Sequence, residues 1–356
     1  MLVYITMIIF CLLFTKMATF MYKQGKIVNI VLVFISILLP TLVAGFRYDN
    51  GADYKLYMRM FKTWAEGTSF FSVKSIEVGF VTFVKATQVL SKEYWFTYTA
   101  IALVIDALFI CGCWKMSTNV LLSVLLFFGT GTYFDSFNGL RQYMAAAIVF
   151  FALYYLLNKD FKKYMLLIII ATFFHNTAII MAGAYFLRFL KFDIKKAIIV
   201  IVAVLAGGST IYKIVTFALQ HTRYSYFLNS IEYKAQTSQS AILLSVVVGI
   251  IALLIALFHK EEIDESTNTL LNLQIMVICS SLLTITVPLA YRVLYYTLPI
   301  EIILIPDIIT YIKKNLYRLG VTIFLVAFYC LITVYGMYFN GWYTAIPYHF
   351  YFNYLR

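Results

Sequence analysis

The sequence predicts an all-α polytopic membrane protein with about 10 transmembrane helices. Hydrophobic residues make up 63% of its 356 residues and charged residues only 12%, and its mean hydropathy is +0.87. Soluble domains do not have this balance. Apolar runs of about 20 residues, the length that crosses a bilayer, recur along the whole chain. Because the longest polar stretch runs only from Arg47 to about Glu77, we expect one integral-membrane domain over 1–356.

Ten apolar segments are long enough to cross a membrane as helices. They cover residues 2–20, 27–46, 94–113, 119–137, 140–157, 195–216, 240–258, 269–289, 292–311 and 319–338.

Two further apolar segments are short or interrupted. The first, 77–90, has about 14 residues and is expected to lie along or dip into the membrane, with a full crossing as the alternative. The second, 164–187, is interrupted by His175 and Asn176. It forms a re-entrant hairpin if both flanking loops lie on one side, and an ordinary span otherwise. Irregular backbone at membrane depth occurs only inside protein or beside a wet cavity, so this break points to a functional region.

The charge pattern predicts an orientation. The formal net charge is +12, and lysine is concentrated in the short loops 158–163, 188–196 and 311–318, which we therefore expect in the cytoplasm. The outer face then receives two larger loops, about 47–93 and 217–239, although the topology of 1–93 stays open. No basic face forms, so nucleic acid is not an expected partner.

The outer loop after the second span, "FRYDNGADYKLYMRMF", is rich in arginine, aspartate and tyrosine. Its Asp-Asn-Gly sequence is a turn signal, and Asp53 can cap a helix that begins near Tyr54. Tyr54 and Tyr57 share a face of that helix. Aromatic faces beside carboxylates suit sugar rings, and a capped interfacial loop is the alternative. The candidate substrate-binding residues here are Arg47, Asp49, Tyr54, Tyr57 and Arg59, with Asp53 as a candidate catalytic acid or base.

The stretch "FDSFNGLRQYMAAAIVF" places Arg141 and Gln142 in the first turn of an apolar helix, behind a possible Asn138 cap. A helix N-terminus offers free N–H groups and a partial positive charge. An arginine there opposes the dipole and favours a bound anion. A phosphate would use both the N–H groups and the guanidinium. The alternative is an arginine that reaches lipid headgroups.

Three other places carry candidate residues. His175 lies inside an apolar segment, where it is either a structural hydrogen-bonding group or a general base. Arg292 opens a late span with Tyr295 and Tyr296 on its face. Arg223 adds a further arginine to the outer side. Arginine is preferred over lysine for bidentate phosphate binding, so these residues suggest a pyrophosphate-linked substrate. We find no metal-ligand spacing and no nucleotide-binding motif, and we expect no cofactor.

At these residues the chain resembles the EpsG family of exopolysaccharide proteins and the related Wzy-type O-antigen polymerases. The resemblance rests on four motifs in order: "RYDNGADYKLY", "FNGLRQYMAAAIVFFAL", "FFHNTAII" and "PYHFYF". Together they span nearly the whole chain. The family pattern has threonine where this chain has Ala52, which removes one hydroxyl contact.

The resemblance implies a polymerase of undecaprenyl-pyrophosphate-linked repeat units in the bacterial inner (plasma) membrane. It would transfer the growing chain to a new lipid-linked unit on the periplasmic or exterior face, as a glycosyltransferase that needs no metal. Membrane lipid and a chain-length regulator are the implied partners. Arg141 and Arg292 would stabilise the leaving pyrophosphate. Asp53 or His175 would act on the acceptor hydroxyl, and the residues leave that choice open.

Two other classes of protein remain alternatives. A flippase or transporter of lipid-linked sugars should show inverted repeats or paired broken segments, and we find no convincing repeat. A membrane acyltransferase that modifies the glycan fits a histidine within a membrane segment.

Overall fold

A computed structural model describes residues 1–22, 25–67, 76–221, 225, 239–259, 261–287 and 289–354. Within these ranges the protein is helical, and a single antiparallel bridge between Arg47 and Phe350 is the one strand-like pairing. Nine helices of the described residues are long and apolar enough to cross a membrane. The predicted all-α polytopic fold class is therefore confirmed.

The helices follow one another with short connections. In chain order they are α1 Leu2–Met21, α2 Lys26–Gly45, α3 Tyr54–Ala65, α4 Val78–Leu90, α5 Tyr94–Met116, α6 Val120–Gly129, α7 Thr132–Asp135, α8 Leu140–Leu157, α9 Phe161–Phe174, α10 Ile194–Gln220, α11 Gln239–Phe258, α12 Glu265–Leu283, α13 Tyr291–Thr297, α14 Glu301–Thr310 and α15 Asn315–Phe339. A long 3-10 helix, Asn176–Phe189, follows α9.

The chain divides into two compact units. The first unit comprises Met1–Ile179 and Leu319–Arg356, and the second comprises Ile180–Arg318.

Helix α8 forms the centre of the first unit. It packs against α5 on one side and α9 on the other, and α2 packs against both α1 and α5. Ala145, Ala146 and Ala147 of α8 are all buried. Small residues let neighbouring helices approach closely inside a membrane protein, which explains how α8 accommodates so many contacts.

A proline in α2 is accommodated by side chains from other helices. Pro40 has no N–H to donate to the carbonyl of Ser36. The Cys11 thiol of α1 donates to that carbonyl at 3.2 Å instead. The carbonyl of Pro40 itself accepts a hydrogen bond from the Tyr133 hydroxyl at 2.8 Å. These contacts satisfy backbone groups that would otherwise be buried without partners, and they link α1, α2 and α7.

The prediction of a continuous span at 119–137 is wrong. Helix α6 ends at Gly129 after 10 residues, and the four-residue helix α7 follows. Gly131 has a left-handed φ of 79°, and a Cβ there would overlap the Tyr343 hydroxyl. The chain therefore turns at this glycine instead of continuing as one helix.

The second unit is organised around α12. This helix packs against α10, α11, α13 and α14. Gln274 of α12 donates a 2.7 Å hydrogen bond to the buried Glu301 of α14, so a carboxylate in the apolar interior has a polar partner. Helix α10 is different because most of its candidate span is exposed. Its aliphatic surface is suited to contact with lipid.

The predicted break at His175 is confirmed. Helix α9 ends at Phe174, His175 is extended with φ −155° and ψ 118°, and the 3-10 helix begins at Asn176. Helix α4 likewise matches the predicted short segment at 77–90. The choice between a re-entrant hairpin and a single span stays a prediction, as do the side assignments of the loops.

Candidate functional site

Arg141 has an anionic partner from the protein itself. Its Nη1 lies 2.6 Å from Oε2 of Glu77, which immediately precedes α4. The Glu77 side chain is only 5% exposed, whereas that of Arg141 is 30% exposed. The protein itself therefore supplies an anion beside Arg141, part of the guanidinium still faces outward, and the binding of a phosphate there stays a prediction.

Glu77 also approaches His175, so one carboxylate joins two of the predicted catalytic residues. Its Oε1 lies 3.2 Å from Nδ1 of His175. The distance suits ion pairing, but the two groups are not aligned as a hydrogen bond. Nε2 of His175 is buried and has no hydrogen-bond partner among the described residues. We call Arg141, Glu77 and His175 the Glu77 cluster.

A close helix contact positions the Glu77 cluster. A Cβ at Gly79 in the first turn of α4 would lie 2.7 Å from the carbonyl oxygen of Phe173 near the end of α9. Only glycine allows α4 to come this close to the α9 backbone. Because Glu77 is two residues before Gly79 and His175 is two residues after Phe173, the contact holds the carboxylate against the imidazole.

Tyr57 completes the polar surroundings of Arg141. It lies on α3, is 6% exposed, and its hydroxyl interacts with the Arg141 guanidinium. Burial raises the pKa of Tyr57, although the positive charge of Arg141 opposes the effect. Tyr57 therefore keeps its proton and acts as a neutral hydrogen-bonding group.

The electrostatics of the cluster favour an ionised Glu77. Burial alone would raise the pKa of its carboxyl, but the neighbouring His175 and the charge of Arg141 lower it from the usual 4.5 to about 2. The carboxylate is therefore negative at any physiological pH. It can hold both a guanidinium and an imidazole in place.

Arg47 lies in a separate, fully buried cluster. Its Nε donates to the carbonyl of Asn50 at 3.1 Å and its Nη2 to that of Phe137 at 3.2 Å, and Nη1 donates to the carbonyl of Ala44. The guanidinium also lies 4.9 Å from the Tyr98 ring centroid. The residue is 2% exposed. This geometry supports a structural role for Arg47 rather than contact with a substrate.

The buried Arg47 region connects the loop between α2 and α3 to the C-terminal tail. The Asn50 amide donates to the carbonyls of Ala345 and Pro347 at 3.0 and 2.7 Å. Its oxygen accepts the backbone N–H of His349 at 2.9 Å. The "PYHFYF" tail is thus held against the "RYDNGAD" loop. These two segments belong to two of the four motifs noted in the sequence.

The loop before α8 is held to the same region. Asn138 was expected to cap α8, but this prediction is wrong. Gly139 is the residue before α8 and no side chain caps the helix. The Asn138 oxygen instead accepts the backbone N–H of Ala52 at 2.6 Å. Gly51 has φ 104°, and a Cβ there would lie 2.6 Å from the Phe137 carbonyl oxygen, so the two loops touch through a glycine.

The other candidates in and after the loop between α2 and α3 have varied environments. Tyr54 is 1% exposed and stacks on Tyr98 with ring centroids 4.8 Å apart. Asp49 pairs with Lys55 at 2.8 Å on the surface. Arg59 is exposed. Tyr54 therefore belongs to the packed interior of the unit, whereas Asp49 and Arg59 remain accessible.

Asp53 precedes α3 as predicted, but its side chain forms no cap hydrogen bond. Its carboxylate is close enough to Asp135 for the two to interact electrostatically. Asp135 accepts a 2.8 Å hydrogen bond from the Tyr143 hydroxyl of α8. Gln142, beside Arg141, is 5% exposed. The region around the α8 N-terminus is therefore richer in carboxylates than the sequence suggested.

The remaining candidates lie elsewhere. Arg292, Tyr295 and Tyr296 belong to the second unit, where Arg292 and Tyr295 are half-buried and Tyr296 is 1% exposed. Arg292 Nε lies 3.5 Å from the hydroxyl of its neighbour Tyr291. Arg223 lies outside the described residues.

Two acidic residues of the first unit were missed by the sequence analysis, namely Glu77 and Asp135. One feature of the sequence did indicate Glu77, because it is a lone carboxylate at the start of a short apolar segment. A buried carboxylate is stable only beside a cation, and Arg141 was the arginine predicted to lie beside an anion. The described residues contain no group of three histidines, cysteines or acidic residues that could hold a metal ion.

The chain was compared with known proteins. The model of the EpsG family matches residues 30–350. Searches of curated proteins and of solved structures returned no match. The family match covers the loop between α2 and α3, the Glu77 cluster and nearly all of the C-terminal tail.

Proposed function

The chain belongs to the EpsG family, and from this premise we propose a specific reaction. Membership of the family supports a general role as a membrane polysaccharide polymerase. The protein transfers a growing glycan from its undecaprenyl-pyrophosphate carrier to a sugar hydroxyl of a new lipid-linked unit. The reaction takes place on the outer face of a bacterial plasma membrane. A chain-length regulator is a partner proposed on the family resemblance alone.

One observation carries the proposal, namely that Glu77 brings Arg141 and His175 together. Glycosyl transfer from a pyrophosphate needs a group that removes a proton from the acceptor and a cation that stabilises the leaving group. In the Glu77 cluster, His175 is the candidate for the first role and Arg141 for the second, and the Glu77 carboxylate lies close to both. Arg141 and His175 both lie in motifs that resemble the family, and their contact through Glu77 is compatible with the same reaction class.

His175 is the candidate general base. With Nδ1 directed towards Glu77, the proton of the imidazole stays on Nδ1 and the lone pair is on Nε2, which has no partner among the described residues. Nε2 is buried, so the acceptor hydroxyl must first gain access to it; Nε2 then accepts the hydroxyl proton while the oxygen forms a bond to the anomeric carbon. The loose Nδ1 geometry is compatible with this role, since such contacts often tighten only in the substrate complex.

Arg141 is the candidate for leaving-group stabilisation. The bond from the anomeric carbon to the phosphate oxygen breaks, and the lipid pyrophosphate leaves with the electron pair. The guanidinium has five N–H donors, and its side chain is 30% exposed beside Glu77. A phosphate oxygen can therefore bind to the outward part of the group. The nearby N–H groups at the start of α8 would add to the attraction.

Sugar recognition is assigned to the residues around this cluster. Tyr57 is a neutral hydroxyl next to Arg141, and Asp53 supplies a carboxylate near Asp135. Asp53 remains the alternative base. Arg292 lies in the second unit, and its role in binding the pyrophosphate stays a prediction from the sequence.

The experiment measures the length of the surface glycan. A deletion strain is complemented with the wild type, Arg141→Ala or the control Lys162→Ala, which removes an exposed cation with no proposed role. Equal amounts of each protein in the membrane are verified first. We expect a ladder of lengths from the wild type and the control, and single repeat units from Arg141→Ala.

Each other outcome has a defined meaning. A full ladder from Arg141→Ala would overturn the role of this arginine. Loss of all surface glycan in the deletion strain, with no accumulation of single units on the outside, would indicate export of lipid-linked sugars instead of polymerisation.

A further inference from the structure

The second unit contains a cavity that the proposed reaction does not use. Its volume is about 660 Å³, within the range of about 300–1,000 Å³ that ligand pockets occupy. It lies between the 3-10 helix, α10 and α12, and each contributes one face. Its apolar lining includes Leu187, Val200, Val204, Ile275 and Met276. We call this cavity the basic groove because of the residues at one end.

Two lysines line that end. Lys191 and Lys196 are both exposed, and neither forms an ion pair with a carboxylate in the described part of the chain. One carboxylate, Asp193, also lines the groove, but its Oδ1 accepts the backbone N–H of Lys196 at 3.0 Å at the start of α10. The lining therefore carries two cations and one anion that is already hydrogen-bonded, which favours an anionic ligand.

The polar end of the groove is preformed. The Asn272 amide donates to the carbonyl of Leu190 at 2.7 Å. The Asn268 oxygen accepts the backbone N–H of Phe192 at 2.7 Å. Both asparagines belong to α12, so the loop that carries Lys191 is fixed to a helix. Binding there requires little ordering of the chain, which favours affinity.

The groove has the polarity of a membrane lipid. Along α10 the lining runs from Lys196 through Val200 to Val204. The eight residue steps from Lys196 to Val204 correspond to about 12 Å along the helix. Helix α10 is a candidate membrane span that begins at Ile194. The two lysines therefore lie near the end of a span, where lipid headgroups are found. The valines lie deeper, at the level of acyl chains.

We infer that the basic groove binds an anionic phospholipid, with its phosphate between Lys191 and Lys196 and an acyl chain along Val200, Val204 and Met276. Lysine near a membrane surface attracts anionic headgroups, and the apolar remainder of the groove matches a hydrocarbon chain. The site is separate from the Glu77 cluster and does not depend on the proposed polymerase reaction.

Binding is measured by native mass spectrometry of the purified protein with phosphatidylglycerol or phosphatidylcholine of identical acyl chains. The variant Lys191→Gln/Lys196→Gln removes the two cations of the groove. The control Lys162→Gln/Lys314→Gln removes two exposed lysines that do not line it. We expect the first variant to weaken binding of phosphatidylglycerol about tenfold or more, and the control to leave it unchanged.

A second variant tests the apolar part without changing charge. Gly183 also lines the groove, and a Cβ there meets no atom within 4 Å. Gly183→Leu therefore fills open space and should lower the bound fraction of phosphatidylglycerol. Gly207→Leu is the matched control, since a Cβ at Gly207 likewise meets nothing and the residue lies outside the groove lining.

Two results would overturn the inference. One is equal phosphatidylglycerol binding by the groove variants and their controls, with all proteins monodisperse. The other is equally tight binding of phosphatidylcholine and phosphatidylglycerol by the wild type, which would show that the lysines select no headgroup.

Discussion

Nδ1 of His175 lies 3.2 Å from Oε1 of Glu77, although 98 positions separate the two residues in the chain. The carboxylate is buried at the start of α4, and the imidazole marks the break between α9 and the 3-10 helix. A break in an apolar segment is costly unless polar groups satisfy it. Glu77 places a charged group 3.2 Å from the imidazole at this break and also binds Arg141, so the break and the ion pair lie together.

The Glu77 carboxylate should make stability depend on pH in the acidic range. Its folded pKa is about 2 against an ordinary 4.5, a shift worth on the order of 3 kcal/mol. Because the folded pKa is lowered, this stabilisation is fully present above about pH 4.5 and is lost as the pH falls towards 2. Thermal unfolding in detergent should therefore show Glu77→Gln less stable than the wild type at pH 7, with the gap narrowing in acid.

A matched control for this pH series is Glu66→Gln, which changes an exposed glutamate of the same unit. Its difference from the wild type should be small at every pH. A constant gap between Glu77→Gln and the wild type from pH 7 to pH 3 would contradict the assigned ionisation.

The packing of α4 on α9 should tolerate no side chain at Gly79. A Cβ there would lie 2.7 Å from the Phe173 carbonyl oxygen, so Gly79→Ala must displace one of the helices. Overpacking of this kind typically costs about 1–3 kcal/mol. Gly320→Ala is the control, since that glycine is in a helix and a Cβ there meets nothing within 4 Å. Comparable melting temperatures for the two variants would show that the contact is not tight.

Arg47 should act on stability and not on catalysis. Arg47→Met keeps an aliphatic stem but leaves the carbonyls of Asn50 and Phe137 without their donors. Each unsatisfied buried group costs about 1–3 kcal/mol, so we expect a loss of about 3 kcal/mol or more and less protein in the membrane. Arg59→Met, at an exposed position, should change stability by less than about 0.5 kcal/mol.

The distinguishing measurement is polymer formed per molecule of folded protein. For Arg47→Met this ratio should stay near that of the wild type. A ratio that falls tenfold while the protein remains folded would place Arg47 in the reaction.

Asn50 should anchor the C-terminal tail. Asn50→Ala removes hydrogen bonds to the carbonyls of Ala345 and Pro347 and to the N–H of His349. We expect limited proteolysis to cleave the variant near these residues at concentrations of protease that leave the wild type intact. Asn158→Ala, which changes an exposed asparagine bonded only to its own helix turn, is the control. Equal protection of the tail in both variants would contradict this role.

The sequence predicts the helices well because apolar length alone determines most of them. It also locates the break at His175, since a polar pair interrupts an otherwise apolar run. The failure at 119–137 has a local cause, because Gly131 adopts a left-handed φ that composition does not reveal.

The site is harder to predict because its pairs are tertiary. Arg141 was recognised as needing an anion, but its partner lies 64 residues earlier in the chain. Arg47 and Tyr54 resemble binding residues in sequence, yet both are buried. Charged and aromatic residues in the sequence indicate a region that differs from ordinary apolar spans. Only the packing decides whether each side chain faces a ligand or the protein interior.

The central claim is that the Glu77 cluster carries out glycosyl transfer. Its most direct test is polymerisation by the purified protein on a lipid-pyrophosphate-linked repeat unit, comparing the wild type with His175→Asn. Asparagine keeps a polar group near the Nδ1 position but has none at Nε2. The control is His259→Asn, because His259 also neighbours a glutamate, with Nδ1 3.4 Å from Glu262. We predict a loss of about 10²–10⁴ in rate for His175→Asn, as expected for removal of a general base, and little change for the control. Equal polymer lengths and rates from both variants would contradict it.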